Sequence, residues 1–327
     1  MTDQVFMGVD MGGTNTKLAI ADREGKVVLE RRMPTASQDG PEKVLARIAD
    51  KVNEMVQETG TNPESLGMAI PGTLDLINGI SKFLPNFPGH WPEVPVRDIL
   101  SEKTGMPVYI MNDVRTATLG EYDFGAGKDG SVNTMILMAI GTGLGGGVVV
   151  DGELRLGPIG SAGELGHMII IPGGRACGCG ARGCLETLVS GPALAAEGVR
   201  LLLSGQAMEL HKIVGGDPGK VEAKTMGEAA RAGDEAVKAV IERVGEYLGI
   251  GIANLIVALH PDLFVIGGGV MGLGDLLLNP VRRSVNEHVK MFPTDDIRIE
   301  APVLGDSAGV LGAVAVAIHK GLLEQVE

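Results

Sequence analysis

Cysteine is nearly absent: Cys177, Cys179 and Cys184 are the only three, and they crowd into one short segment. So few, odd in number and so close, they exclude a disulfide-stapled secreted scaffold and fit a reducing compartment. Aromatic residues are 3% of the chain, with one tryptophan, too few for the stacking platforms that grip single-stranded nucleic acids. Positive charge is also short. Lys+Arg 28 against Asp+Glu 41 gives −13, which argues against a nucleic-acid backbone or an anionic membrane as partner. No basic segment followed by an apolar run opens the chain, so no signal peptide is expected. One uncharged run, Gly130 to Val150, is long enough to span a bilayer. It holds five glycines between Gly141 and Gly147, and reads better as two buried strands around a glycine turn. A cytoplasmic protein of small-molecule chemistry is expected.

What the chain has is length, apolar residues and glycine. Its 327 residues exceed what one hydrophobic core usually serves, so two domains are expected. Hydrophobic residues at 44% and charged residues at 21% are globular composition. Fifty glycines without a collagen period imply many tight turns and close backbone approaches to a ligand.

Patterning supports a duplicated α/β organisation. Val5–Asp10, the turn Gly12-Gly13-Thr14-Asn15 and Lys17–Ala21 predict a hairpin, followed by a strand at Lys26–Arg32. Pro41–Thr59 carries apolar residues at helical spacing, Leu66–Ile70 and Pro107–Met111 read as strands, and a helix is predicted over Val114–Tyr122. The theme then repeats. Thr134–Ile140, a glycine turn over Gly141–Gly147 and Val148–Val150 form a second hairpin. Helices follow at Pro192–Leu203, Thr225–Ala232, Glu235–Ala258, Leu276–Lys290 and Asp306–Gly321, with a strand at Leu263–Ile266. Two halves that each open with a strand, a Gly/Thr turn and a strand suggest a cleft between them.

The two turns offer unobstructed backbone N–H groups, a nest for phosphate oxygens. Asp10 could hold a metal-bound water beside the first turn, and Thr14 could donate to a phosphate; Thr142 and Gly143 have the same chemistry in the second. Among three G-x-G-x-x-G spacings, only Gly267-Gly269-Gly272 follows a strand and precedes a helix. It lies too near the end of the chain for a full dinucleotide-binding half, so Gly268 and Gly269 suit an adenine or ribose contact better. No Walker A loop occurs. His167 with Cys177, Cys179 and Cys184 makes a closed tetrahedral ligand set for a structural zinc, leaving no position for a catalytic water. Glu164 and Glu186 flank that set, where they could accept hydroxyls of a polyol, while the free ring nitrogen of His167 could donate to the same ligand. Asp113, between a strand and a helix, could take a hydroxyl proton or simply cap the helix.

Asp10-Met11-Gly12-Gly13-Thr14-Asn15-Thr16-Lys17, Asn112-Asp113, Glu164-Leu165-Gly166-His167 and the run from Cys177 to Glu186 together resemble the ROK family of repressors and sugar kinases, over essentially the whole chain. The likeness is greatest to its bacterial glucokinases. The resemblance implies a duplicated actin/hexokinase/Hsp70-like ATPase (ribonuclease H-like) α/β fold, two lobes with a central cleft. Residues 1–113, completed by a helix at 306–327, would be the small lobe, and 114–305 the large lobe with the zinc. It implies ATP-dependent phosphorylation of a hexose 6-hydroxyl, most readily that of glucose. Asp113 would be the base, and Gly72, Asn86, Asn112, Glu164, His167 and Glu186 would hold the sugar. Asp10, Gly12, Gly13, Thr14, Asn15, Lys17, Thr142, Gly143, Gly268 and Gly269 would serve ATP and its Mg²⁺. It also implies a homodimer or dimer of dimers. N-acetylglucosamine, N-acetylmannosamine or fructose as substrate, and a sugar-responsive regulator without turnover, stay open; an NAD-dependent oxidoreductase using Gly267–Gly272 is the remaining rival. Repressors of the family carry a helix-turn-helix segment before the first hairpin. With the first strand starting by Val5, no DNA-binding role is expected here.

Overall fold

The computed structural model describes residues 4–325. In chain order the first strands and helices are β1 (Val5–Met11), β2 (Asn15–Asp22), β3 (Val27–Pro34), α1 (Pro41–Thr59), β4 (Leu66–Ile70), β5 (Thr73–Asp75), β6 (Ile80–Phe83), α2 (Val96–Thr104), β7 (Val108–Asn112) and α3 (Asp113–Phe124). There follow β8 (Met135–Ile140), β9 (Leu144–Val150), β10 (Glu153–Leu154), α4 (Glu186–Val189), α5 (Gly191–Leu203), α6 (Met208–Val214) and α7 (Ala223–Arg231). The last are α8 (Glu235–Leu259), β11 (Leu263–Gly267), α9 (Asp275–His288), β12 (Arg298–Glu300) and α10 (Ala308–Ile318). Among the described residues, no helix is long and apolar enough to cross a membrane. The chain divides into two compact units: Met1–Asn133, Gly147–Gly163 and Pro302–Glu327 form the first, Thr134–Gly146 and Glu164–Ala301 the second.

In the first unit the strand order is β3-β2-β1-β4-β7. β1, β2 and β3 are antiparallel neighbours, and β1, β4 and β7 run parallel. Asp10 pairs with Ala69, and Ala69 with Met111, so β1 and β7 end at one edge of the sheet. Asp10 and Asn112-Asp113 leave there, at the carboxyl ends of the strands, where α/β sheets hold their ligands. α1 starts at Pro41, whose missing N–H costs nothing in a first turn, and ends on Gly60 in the left-handed region at φ 63°. Between them Val44, Leu45, Ile48, Ala49, Val52 and Met55 are buried, as the helical spacing required.

α10 is the core of this unit. It is built of Ala, Val, Leu, Ile and Gly, and its residues from Val310 to Ala317 are all buried. It can approach the sheet only because glycines face it: a Cβ on Gly67 would lie 1.9 Å from the Ala313 carbonyl oxygen, and one on Gly8 2.4 Å from that of Val310. On its other side a Cβ at Gly312 would sit 2.0 Å from the Thr116 carbonyl of α3. The buried Glu121 carboxylate of α3 accepts from Leu304 N (2.8 Å), Val303 N (3.1 Å) and Ala126 N (3.2 Å), fixing where the chain returns.

In the second unit β8, β11 and β12 are parallel, with Ala139 opposite Gly267, so the turn after β8 and the glycines after β11 emerge at one edge. α8 packs on α9 through Gly245 and Gly249, where a Cβ would meet Pro280 at 2.6 Å and Ser284 at 2.5 Å. The glycine turn is shorter than expected. Strand β9 starts at Leu144, so Gly145, Gly146 and Gly147 are strand residues and only Gly141–Gly143 turns. Gly147 shows why glycine suits a strand there: a Cβ would meet Thr118 Oγ1 of α3 at 2.2 Å.

Candidate functional site

In the first unit the turn between β1 and β2 is closed by Gly12 N–H donating to the Asn15 carbonyl (3.0 Å). It is braced from behind by Thr35, which the sequence reading passed over. Its hydroxyl donates to the Gly12 carbonyl (2.6 Å), and its N–H donates to that of Thr14 (2.9 Å). Thr14 is left exposed at the tip. The Lys17 ammonium donates to the Asp306 carbonyl, which ties the hairpin to the start of α10. Gly309 was missed as well. It faces the Asp10 carboxylate so closely that a Cβ there would stand 2.4 Å from Oδ2. A glycine at a helix start was the available signal.

Asn112 is the N-cap of α3, its side-chain oxygen accepting from Val114 N (3.1 Å) and Arg115 N (3.3 Å). Its amide nitrogen donates to the Gly72 carbonyl (3.1 Å) and to Asp113 Oδ1 (3.0 Å), so Gly72, Asn112 and Asp113 form one bonded set. Gly72, at φ 97°, sits where any Cβ would strike the Phe83 carbonyl at 2.1 Å. Asn86 is exposed in the loop after β6, with its carbonyl against Gly13. Burial pushes the Asp113 carboxyl up from 3.8 to about 6, and the nearby Asp10 charge adds to the rise, against a backbone hydrogen bond from Val114. Burial raises Asp10 too, with Lys17 opposing. Two carboxyls under desolvation at one sheet edge, beside a glycine turn, can bind a cation and exchange a proton near neutral pH.

In the second unit Gly141 N–H donates to the Gly143 carbonyl (2.9 Å), and Gly191 N–H to the Gly141 carbonyl (2.8 Å). Thr142 is exposed at the tip. A cavity of about 390 Å³ brings Thr142 together with Pro192 of α5, Glu222, Lys224 and Gly269. Glu222 and Lys224 carried no motif and were not anticipated. Gly268, at φ 92°, packs on Ile140, where a Cβ would be 2.4 Å from the carbonyl oxygen.

His167, Cys177, Cys179 and Cys184 meet, their ligand atoms all within 4.8 Å of one another. His167 Nδ1 lies 3.6 Å from Cys177 Sγ, and Cys179 Sγ 3.7 Å from Cys184 Sγ. The edges of a tetrahedron with metal–sulfur bonds of ~2.3 Å are about 3.8 Å, so the donor set fits a zinc-sized ion. Burial pushes the Cys184 thiol up to about 12, while a backbone hydrogen bond from Ala181 lowers that of Cys179. Using Nδ1 on the thiol side turns His167 Nε2 toward Glu164 Oε2, 4.0 Å away. Glu186 bridges two features: Oε2 accepts from Leu144 N (2.8 Å) behind the glycine turn, and Oε1 lies 3.8 Å from Cys177 Sγ.

The ROK family profile matches residues 6–320. The chain belongs to the ROK family. It is 37% identical to a glucokinase of Halalkalibacterium halodurans over 95% of this chain and 94% of that one. It is 35% identical to a glucokinase of Thermotoga maritima, over 95% and 96%. A crystal structure of a ROK family glucokinase from Streptomyces griseus in complex with glucose and AMPPNP superposes with a TM-score of 0.77 at 32% identity, covering 96% of this chain and 99% of that one. The fold expected from the resemblance, that of the actin/hexokinase-like ATPases, is the one this ROK chain has.

Proposed function

We propose that this ROK protein is an ATP-dependent hexose kinase that phosphorylates the 6-hydroxyl of glucose. The observation that carries the reading is the desolvated Asp113 carboxyl, raised to about 6, at the sheet edge that also bears Asp10 and the Gly12–Thr14 turn. The glucokinases it resembles along nearly their whole length support the choice of sugar.

At pH 7 and above Asp113 is mostly ionised yet poorly solvated, as a general base requires. It takes the hydroxyl proton as the sugar oxygen bonds to the γ-phosphorus and the bond to the β-bridging oxygen breaks, leaving ADP. The hydrogen bond from Asn112 Nδ2 holds the carboxylate in place, and Asn112, Gly72 and Asn86 line the sugar side. In the first unit N–H groups of the Gly12–Thr14 turn receive phosphate oxygens, and in the second Thr142, Glu222, Lys224 and Gly269 line a cavity that suits a nucleotide. Mg²⁺ bound with the nucleotide would neutralise developing phosphoryl charge, with Asp10 holding its water. A structural zinc on His167, Cys177, Cys179 and Cys184 would fix Glu164, His167 Nε2 and Glu186 toward sugar hydroxyls. Homodimerisation and a cytoplasmic location belong to the same proposal; light scattering tests the former.

The test is a hexose panel in an assay coupled to ADP release, with Asp113→Asn alongside. Glucose should give the highest kcat/KM, and the variant should lose about 10²–10⁴-fold in kcat. Sugar-independent ADP release, no turnover, or near-parental kcat in Asp113→Asn would overturn the assignment.

A further inference from the structure

A second polar pocket lies in the second unit, built from α5, α8 and the loop that carries the cysteines. Glu197 of α5 is the one acid lining it among the described residues, and three guanidinium groups converge on it. Arg175 Nη2 donates to Oε1, Arg200 Nε to Oε2 (3.3 Å) and Arg243 Nη2 to Oε2 (3.4 Å). One carboxylate against three guanidinium groups leaves a local charge of +2 on a chain whose net charge is −13. Glu242 of α8, next to Arg243 in the chain, pairs instead with Arg283 at 3.0 Å. Burial raises the Glu197 carboxyl, but the hydrogen bonds from Arg175 and Arg200 outweigh it and hold the group below its ordinary range. Glu197 therefore stays charged, and the excess is constant across neutral pH.

The donors are not used up. Both Nη groups of Arg200 and the Nη1 of Arg243 have no partner among the described residues, and Arg175 Nη1 makes only a long 3.5 Å bond to the Thr187 carbonyl. The three side chains are 51%, 55% and 47% exposed, so their heads reach solvent while Glu197, at 18%, sits beneath them. They rim a cavity of about 410 Å³ whose wall is Ile171, Leu188, Val240, Val244 and Tyr247. Planar forks with spare N–H pairs match the tetrahedral oxygens of phosphate, and an apolar wall suits an attached organic group.

We propose that this pocket is a binding site for the phosphate group of a small metabolite, gripped by Arg175, Arg200 and Arg243, distinct from the kinase site. Occupancy links α5 and α8 to the loop two residues before Cys177. The site stands or falls independently of the phosphotransfer reading.

The test is isothermal titration of the full chain at fixed, low ionic strength with inorganic phosphate, glucose 6-phosphate and chloride. It is run on the parent, Arg200→Gln/Arg243→Gln and Glu197→Gln. Any phosphate held at the kinase site is common to all three, so only differences between them report on this pocket. Binding of phosphate or its ester should weaken at least tenfold in the double variant and tighten about threefold or more in Glu197→Gln, since charge-assisted bonds are lost in one and a repelling carboxylate in the other. The ratio of ester to free phosphate affinity then tells which source fills the site. Equal binding in parent and double variant, or chloride competing at the same concentration as phosphate, overturns the proposal. If the double variant misfolds, the single Glu197→Gln substitution still decides. A loss of stability there without tighter phosphate binding means the cluster is only a clamp on the loop.

Discussion

Replacing Asp113 by Asn should make the protein more stable while removing its activity. The carboxyl has an ordinary value of 3.8 and about 6 in the fold, and burial is the main cause. Between those values the folded chain binds a proton that the unfolded chain releases, so stability falls as pH rises through this window and levels off above it. At ~1.4 kcal/mol for each tenfold change in proton affinity, the ionised group costs the fold about 3 kcal/mol at pH 7. Asparagine is nearly isosteric and never ionises. Its oxygen can still accept from Val114 N and Asn112 Nδ2, which Asp113 Oδ1 does at 2.9 and 3.0 Å. The variant should therefore melt higher at pH 7–8, at about 2–4 °C for each kcal/mol in a domain of this size. The gain should shrink toward zero as pH falls through 6 to 4. The assay is thermal unfolding of parent and variant from pH 4 to 8 in one buffer series. A variant less stable than the parent at pH 8, or a difference that does not change with pH, would refute the claim that Asp113 is desolvated at a cost to folding.

Other expectations follow from the same contacts. Gly309→Ala should cut kcat/KM for ATP at least tenfold and move the sugar KM less, because its methyl would fall 2.4 Å from the Asp10 carboxylate; unchanged nucleotide kinetics would remove Asp10 from the phosphate side. Elemental analysis after gel filtration should find about one zinc per chain, and Cys184→Ser should lose it with a drop in melting temperature. Metal-free protein with parental stability and activity would count against the ion. Glu121→Ala should destabilise by about 3 kcal/mol or more in chemical denaturation, since three backbone N–H groups lose a buried acceptor. A change within ~0.5 kcal/mol would show that the loop before α10 is held by other contacts.

Local patterns made much of this protein readable in advance. Period and punctuation fixed α1 from Pro41 to Thr59 and β4 from Leu66 to Ile70 to the residue, because a helix with Pro at its start and Gly past its end is specified within itself. The cysteine segment was equally legible, since His167 and the three thiols lie close in sequence and are drawn together by short turns. The strand over Gly145–Gly147 was not. Gly147 among them is demanded by α3, where a Cβ would strike Thr118, nearly thirty residues earlier in the chain. Thr35, Gly309 and Lys224 escaped for the same reason. Each acts by reaching a group that sequence proximity does not reveal: Thr35 a turn more than twenty residues earlier, Gly309 the carboxylate of Asp10, Lys224 the rim of the Thr142 pocket. Sequence alone determined the elements with a strong internal pattern, α1 and β4 among them, and marked candidate side chains that sit in motifs, since both depend on residue type and near neighbours. Only the tertiary structure decided how charged those side chains are. The rise of Asp113 comes from exclusion of water by packed neighbours and from Asp10 across the sheet, and neither exists until β1, β4 and β7 are side by side.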